Sequence, residues 1–127
     1  MELIKQKNTV IGILVRRIKP GSLPVTDGHH PLQVVTLSHP KGKYLAAHTH
    51  RPVPRKTERM QEALFVKKGK VRLDLFGPDK KPFKKLVMKA GDFFILQNGG
   101  LGIQMMEHSE CVEFKNGPFV EDKVLLI

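Results

Sequence analysis

Short apolar runs cut off by Gly, Pro, Asn or Asp dominate this chain, and no stretch keeps a 3.6-residue period long enough for a substantial helix. An all-β fold follows. The pattern predicts strands over Val10 to Ile18, Leu32 to Ser38, Lys43 to His50, Glu62 to Lys67 and Lys70 to Phe76. Further strands are expected over Lys84 to Lys89, Asp92 to Gln97, Leu101 to Glu107, Glu110 to Lys115 and Lys123 to Ile127. The cleanest alternation is "VRLDLF", where Val71, Leu73 and Leu75 take one face and Arg72 and Asp74 the other, as in a half-buried antiparallel strand. "KKGK" at Lys67 to Lys70 reads as a tight hairpin in which Gly69 supplies a positive φ. "KAGD" at Lys89 to Asp92 is a second hairpin, and "GPDKKP" at Gly77 to Pro82 a longer loop. So many short strands suggest a sandwich or barrel, and closure would remove exposed edges.

At 127 residues the chain has room for one domain with a real core and not for two. The one shift in composition, Arg51 to Gln61 ("RPVPRKTERMQ"), carries two prolines and many charges and reads as a loop inside that domain. A single cysteine, Cys111, cannot form an internal disulfide, and the polar start "MELIKQKN" is unlike a signal peptide, so a cytoplasmic setting is expected. The apolar stretch Thr9 to Val15 is far shorter than the roughly 20 residues of a membrane span. A formal charge of +10 is compatible with anionic partners but does not choose among them. The lysine clusters carry no interleaved aromatics and no helix-turn-helix or zinc-finger spacing, so nucleic acid is not the expected partner.

The chemistry concentrates in "AAHTH" and the acid that follows. In a regular strand His48 and His50 point to one side, together with Tyr44 and Ala46. Glu62 shares parity with Leu64 and Val66 and is expected to face inward, where a carboxylate needs a cation or a histidine beside it. Two imidazoles and one carboxylate form a mixed N and O donor set suited to Zn, Fe, Mn, Ni or Cu, although an isolated His-x-His is more often a surface or hydrogen-bonded pair.

With these residues in place the sequence resembles the cupin superfamily. Gly42, His48, His50, Glu62 and Gly69 match its first motif, Gly-x5-His-x-His, a gap, then Glu-x6-Gly, with a gap before Glu62 longer than usual. Of the second motif Gly91 and Gly99 match, whereas Gln97, Gly102 and Met106 stand at the proline, histidine and asparagine positions. A one-residue shift places Leu101 at the histidine position instead, which also cannot bind metal. Gln104 is a substitute oxygen ligand, and His108 an outside candidate. The tail "VEFKNGPFVEDK", Val112 to Lys123, is similar to the end of small cupins often encoded with enzymes of surface-polysaccharide or sugar-nucleotide biosynthesis. The resemblance implies one jelly-roll barrel domain over residues 1–127, with N-terminal strands within 1–20, a core over about 32–127, and a homodimeric assembly.

Three functional readings follow from it. In the first, His48, His50 and Glu62 hold a divalent ion (Zn, Mn, Fe or Ni) that polarises a small anionic or carbohydrate substrate. In the second there is no metal; His48 and His50 serve as acid and base on a sugar nucleotide, Tyr44 stabilises an enolate, and Arg51, Arg55 and Lys56 hold the diphosphate, with Gln104 a further substrate contact. In the third the protein is not an enzyme: the barrel only binds a ligand, or is a degenerate relative used as a dimer or regulatory subunit. Elsewhere, His29 and His30 read as an exposed loop, His39 as a turn residue, Cys111 as an inert thiol, and Phe65 or Phe93 as the mark of a dimer face.

Overall fold

A computed structural model describes residues 1–126 and contains β-strands but no helix among them. The strands are β1 (Glu2–Gln6), β2 (Thr9–Val15), β3 (Gly21–Pro24), β4 (Val35–Ser38) and β5 (Glu62–Lys68). They continue as β6 (Lys70–Phe76), β7 (Pro82–Lys89), β8 (Phe93–Leu96), β9 (Gly100–Met105) and β10 (Glu110–Lys115). All pairings are antiparallel.

Two of the sheets face each other. A five-stranded sheet, ordered β1-β2-β8-β5-β10, packs against a three-stranded one, ordered β7-β6-β9. The first contributes Ile4, Ile11, Leu14, Leu64, Val66, Phe94 and Leu96 to the core between them, the second Val71, Leu73, Leu75, Leu86 and Met88. The "VRLDLF" alternation therefore places Val71, Leu73 and Leu75 inside, as the sequence indicates. The outward Arg72 and Asp74 form a paired set of hydrogen bonds, Nε to Oδ1 at 2.7 Å and Nη2 to Oδ2 at 3.0 Å.

The two-stranded β3-β4 hairpin lies over the other face of the large sheet, where Val25, Leu32 and Val34 pack on Ile13, Val15, Ala63 and Ile95. Strand β2 is thus covered on both faces, which accounts for the unbroken apolar run "IGILV" where one solvated face would have produced alternation. Gly12 is fixed by the same packing: a Cβ there would collide with the Phe94 ring and with the carbonyl oxygen of Ile95. The β5-β6 turn is the expected hairpin, with Gly69 at φ 91°.

Three sequence expectations are corrected, and one strand was not expected. Lys43 to His50 forms no strand; the chain is irregular and exposed throughout residues 41–60. Gly42, at φ 91°, closes a turn from Pro40 to Lys43, and Pro52 and Pro54 have no N–H with which to extend a ladder. The Lys123 strand is absent through Leu126, and Ile127 lies outside the described residues. The first long strand ends at Val15 rather than Ile18, because Arg16 turns aside to hydrogen-bond Asp92 and, at 3.0 Å, the Val87 carbonyl. Finally, β3 arises at "GSLP", which carries no alternation strong enough to announce a strand. Among the described residues the strands do not close into a barrel, and β1, β10, β7 and β9 are sheet edges.

Candidate functional site

The irregular segment holding the histidines is anchored at its C-terminal end. Asn116, the residue after β10, donates from Nδ2 to Thr57 Oγ1 (3.2 Å) and to the Arg59 carbonyl (3.0 Å), while its Oδ1 accepts the Gln61 N–H (2.8 Å). Arg59 in turn donates to the Gln97 carbonyl at the end of β8. Residues 57–61 are therefore strapped across the ends of β8 and β10, and the chain enters β5 at Glu62 from that strap.

Upstream of it, His48 donates from Nδ1 to the Ala46 carbonyl at 2.9 Å. This local bond turns the ring back toward its neighbour: the His48 and His50 ring centroids are 5.0 Å apart with planes at 77°, an edge-to-face pair. Both rings are exposed. Tyr44 is 74% exposed, and Arg51, Arg55 and Lys56 are exposed as well, with Arg55 donating to its own segment at the Val53 carbonyl, 3.3 Å. The segment thus gathers two imidazoles, three cations and a phenol without burying any of them.

Glu62 keeps the parity of Leu64 and Val66 and lies on the face directed at the smaller sheet, its side chain 23% exposed. Directly across the ladder stands Lys115 of β10, its Nζ 3.9 Å from the Glu62 carboxylate and 3.1 Å from that of Glu113. Burial pushes the Glu62 carboxyl above the ordinary range and the neighbouring Glu113 charge adds to this, with Lys115 and Lys123 pulling the other way. Lys115 is shifted upward by its bond to Glu113.

The donor set suggested by sequence is only partly assembled. The two histidines are together, but among the described residues no group of three or more His, Cys, Asp or Glu side chains is arranged to hold a metal ion. Glu62 instead has Lys115 as its charged neighbour. On β9, Leu101 stands opposite Leu75 and packs against the core, whereas Gly102 stands opposite Asp74 on the outer face. The inward register position is therefore an apolar one. Gln104, expected to reach the site, is opposite Arg72 on that same outer face and donates to the Met105 carbonyl at 3.2 Å; strand parity carries it away from Glu62. His108 is exposed in the β9-β10 connection.

One polar centre escaped the sequence reading. Gln61 is fully buried: its Oε1 accepts the Leu32 N–H (3.4 Å), and its Nε2 lies 2.9 Å from His30 Nδ1 and 3.4 Å from the Gln97 carbonyl. His30 is consequently half-buried and engaged, in contrast to the exposed His29, which bonds Asp27 at 2.9 Å. The backbone and side-chain bonds of His29 hold the Asp27 carboxyl below its usual value. His39 lies 2.8 Å from Ser22 Oγ across the β3-β4 hairpin. A Gln beside an apolar run has no periodicity to mark it, so only the tertiary contacts reveal the role of Gln61. Cys111 faces inward opposite Val66 and its thiol is raised by burial, then by Glu113, a setting that disfavours the reactive thiolate. A separate shallow crevice of about 210 Å³ lies between the end of β2 and the β3-β4 hairpin, lined by residues such as Val15, Arg17, Lys19 and Leu23 and by no residue of the His48 segment.

Comparison of the chain with protein-family models, with curated proteins and with solved structures finds no match to any of them.

Proposed function

We propose that this is a cupin-like binding protein for a small anionic carbohydrate, of which a sugar nucleotide is the best candidate, with the ligand held by the His48 segment. The observation that carries the reading is the grouping of His48, His50, Arg51, Arg55 and Lys56 on one exposed stretch whose end is strapped beside Glu62. Cationic side chains suit a diphosphate, and an imidazole pair can donate to sugar hydroxyls or phosphate oxygens. Two antiparallel sheets face each other across one apolar core. This is what supports a jelly-roll architecture for the chain.

The test is titration of isotope-labelled protein with a nucleoside diphosphate sugar, followed by amide shifts. Changes confined to residues 44–62 that disappear in a His48→Ala/His50→Ala variant are expected, and an unperturbed segment would overturn the assignment. Turnover in the same samples separates binding from acid/base catalysis by the two histidines.

A divalent transition ion on His48, His50 and Glu62 is the second reading, favoured by the 5.0 Å ring separation and by the inward, charge-disfavoured carboxylate of Glu62. Among the described residues the three donors are not gathered in one place. Elemental analysis of untagged protein and of its His48→Ala and Glu62→Ala variants tests it; metal lost in both variants supports the site, and metal retained in either removes that residue from it.

A further inference from the structure

Strand β10 ends the five-stranded sheet, and among the described residues no backbone hydrogen bond reaches its outer edge. Its outward side chains are also uncovered. Val112, opposite Phe65, is 41% exposed and Phe114, opposite Ala63, is 56% exposed, because the β3-β4 hairpin covers the sheet only as far as Ala63 and Ile95. An edge strand with bare backbone and exposed apolar side chains is a template for another strand. Charge decides which one.

We propose that β10 pairs antiparallel with β10 of a second copy of this chain, about a two-fold axis at Phe114. Residues directly opposite in an antiparallel ladder share a face, so a two-fold ladder must centre on a residue. Centred on Val112, it sets Phe114 against Glu110 of the second copy and Cys111 against Glu113. Centred on Glu113, it sets two carboxylates face to face, which is destabilising. Centred on Phe114, it sets Glu113 against Lys115 of the second copy twice and stacks the two Phe114 rings on the outer face. Lys115 already sits 3.1 Å from Glu113 of its own strand, and in the ladder each lysine meets one such acid from each copy. The chain turns away after Lys115, through Asn116 and the Gly117–Pro118 bend, which limits the ladder to a few pairs. An interface this small falls below the roughly 1,200 Å² of standard stable complexes, so the dimer is concentration-dependent.

Sedimentation equilibrium of the full chain is expected to show a reversible monomer–dimer equilibrium, weakened at least tenfold by Glu113→Lys, which opposes lysine to lysine. A cross-link reads the register independently of that variant's folding. Directly opposite Cα atoms in a ladder are about 4.5–5.5 Å apart, within disulfide range. In a Cys111→Ser background, Phe114→Cys is expected to oxidise to a covalent dimer and Val112→Cys to remain largely monomeric. A wild-type chain that stays monomeric at every concentration, as it would if its own 43–54 segment covered the edge, overturns the proposal. Equal cross-linking through Val112→Cys overturns the register and with it the charge argument.

Discussion

Glu62 and Lys115 stand directly opposite each other on β5 and β10, on the face that looks into the sandwich, with 3.9 Å between carboxylate and ammonium. The contact is long for an ion pair, and Lys115 is drawn more closely to Glu113 at 3.1 Å. Glu62 therefore bears the cost of its burial with incomplete repayment. Its position at the first residue of β5, directly after the strap of residues 57–61, makes this unbalanced charge the main electrostatic feature at that end of the sheet.

The pH dependence follows from the sign of that imbalance. A carboxyl whose folded pKa lies above its unfolded value contributes stability when protonated; that contribution is full below the unfolded pKa and is lost as pH rises through the folded one. For Glu62 the loss begins at the ordinary carboxylate range, about pH 4, and continues above it. Glu62→Gln keeps the shape and removes the charge, so the variant is expected to be the more stable protein at neutral pH, with the gap closing toward about pH 4. Urea midpoints of both proteins across that range check this; a wild type that is more stable than the variant at neutral pH contradicts it.

Removing Asn116 should release the strap without touching the histidines. Asn116→Ala deletes two donated hydrogen bonds and one accepted from the Gln61 N–H, for a cost of about 1–3 kcal/mol. Hydrogen exchange should accelerate at the Gln61 amide and through residues 57–61 before it does so in β6, and any ligand affinity that depends on the His48 segment should fall with it. Unchanged exchange at Gln61 would show that the strap is held by other contacts.

Much of the sandwich could be read from the sequence because period-two alternation and hairpin glycines are local signals: β6, the Gly69 turn and the inward parity of Glu62 all follow from a few adjacent residues. The His48 segment misled for the same reason. "KYLAAHTH" is a short run between Gly42 and Pro52 and so reads as a strand, but whether a strand forms depends on an available edge and on the prolines that follow, which the run itself does not show. The pairing of His48 with His50 survives because two residues apart is close in coil as in strand, whereas the approach of a third donor depends on the whole fold. Gln104 was misplaced by one strand parity. Gln61 was invisible because burial of a polar residue is decided by the partners that meet it.

Those partners make Gln61 the polar residue least replaceable at the base of the site. It joins the His30 loop, the end of β8 and the start of β5 through its side chain alone. Gln61→Leu would fill much of the volume but orphan the Leu32 N–H, and Gln61→Ala would add a cavity, for costs of about 1–3 and about 2–5 kcal/mol respectively. Thermal unfolding should rank wild type above Gln61→Leu above Gln61→Ala. A Gln61→Leu protein as stable as wild type would mean that water or a relaxed loop satisfies the Leu32 amide.

Gly12 offers the most direct test of the core beneath this end of the large sheet. It lies opposite Leu96 in the β2-β8 ladder, and the Phe94 ring occupies the space that a side chain would need. Phe94 is fully buried in the core cluster that also holds Leu73, Leu75 and Met88, which leaves its ring little room to withdraw. The second obstacle is the backbone carbonyl of Ile95, which cannot move without disturbing the ladder. Gly12→Ala is ordinarily a mild change in a strand, and Ala loses less backbone entropy on folding than Gly, so a neutral or slightly stabilising result would follow if the ring could shift. The packing predicts the opposite, a destabilisation of about 1–3 kcal/mol. Pairing the substitution with Phe94→Leu, which shortens the side chain at the point of collision, should recover part of the loss relative to Phe94→Leu alone. A double-mutant cycle with no coupling between the two positions would show that the Ile95 carbonyl, and not the ring, sets the requirement for glycine.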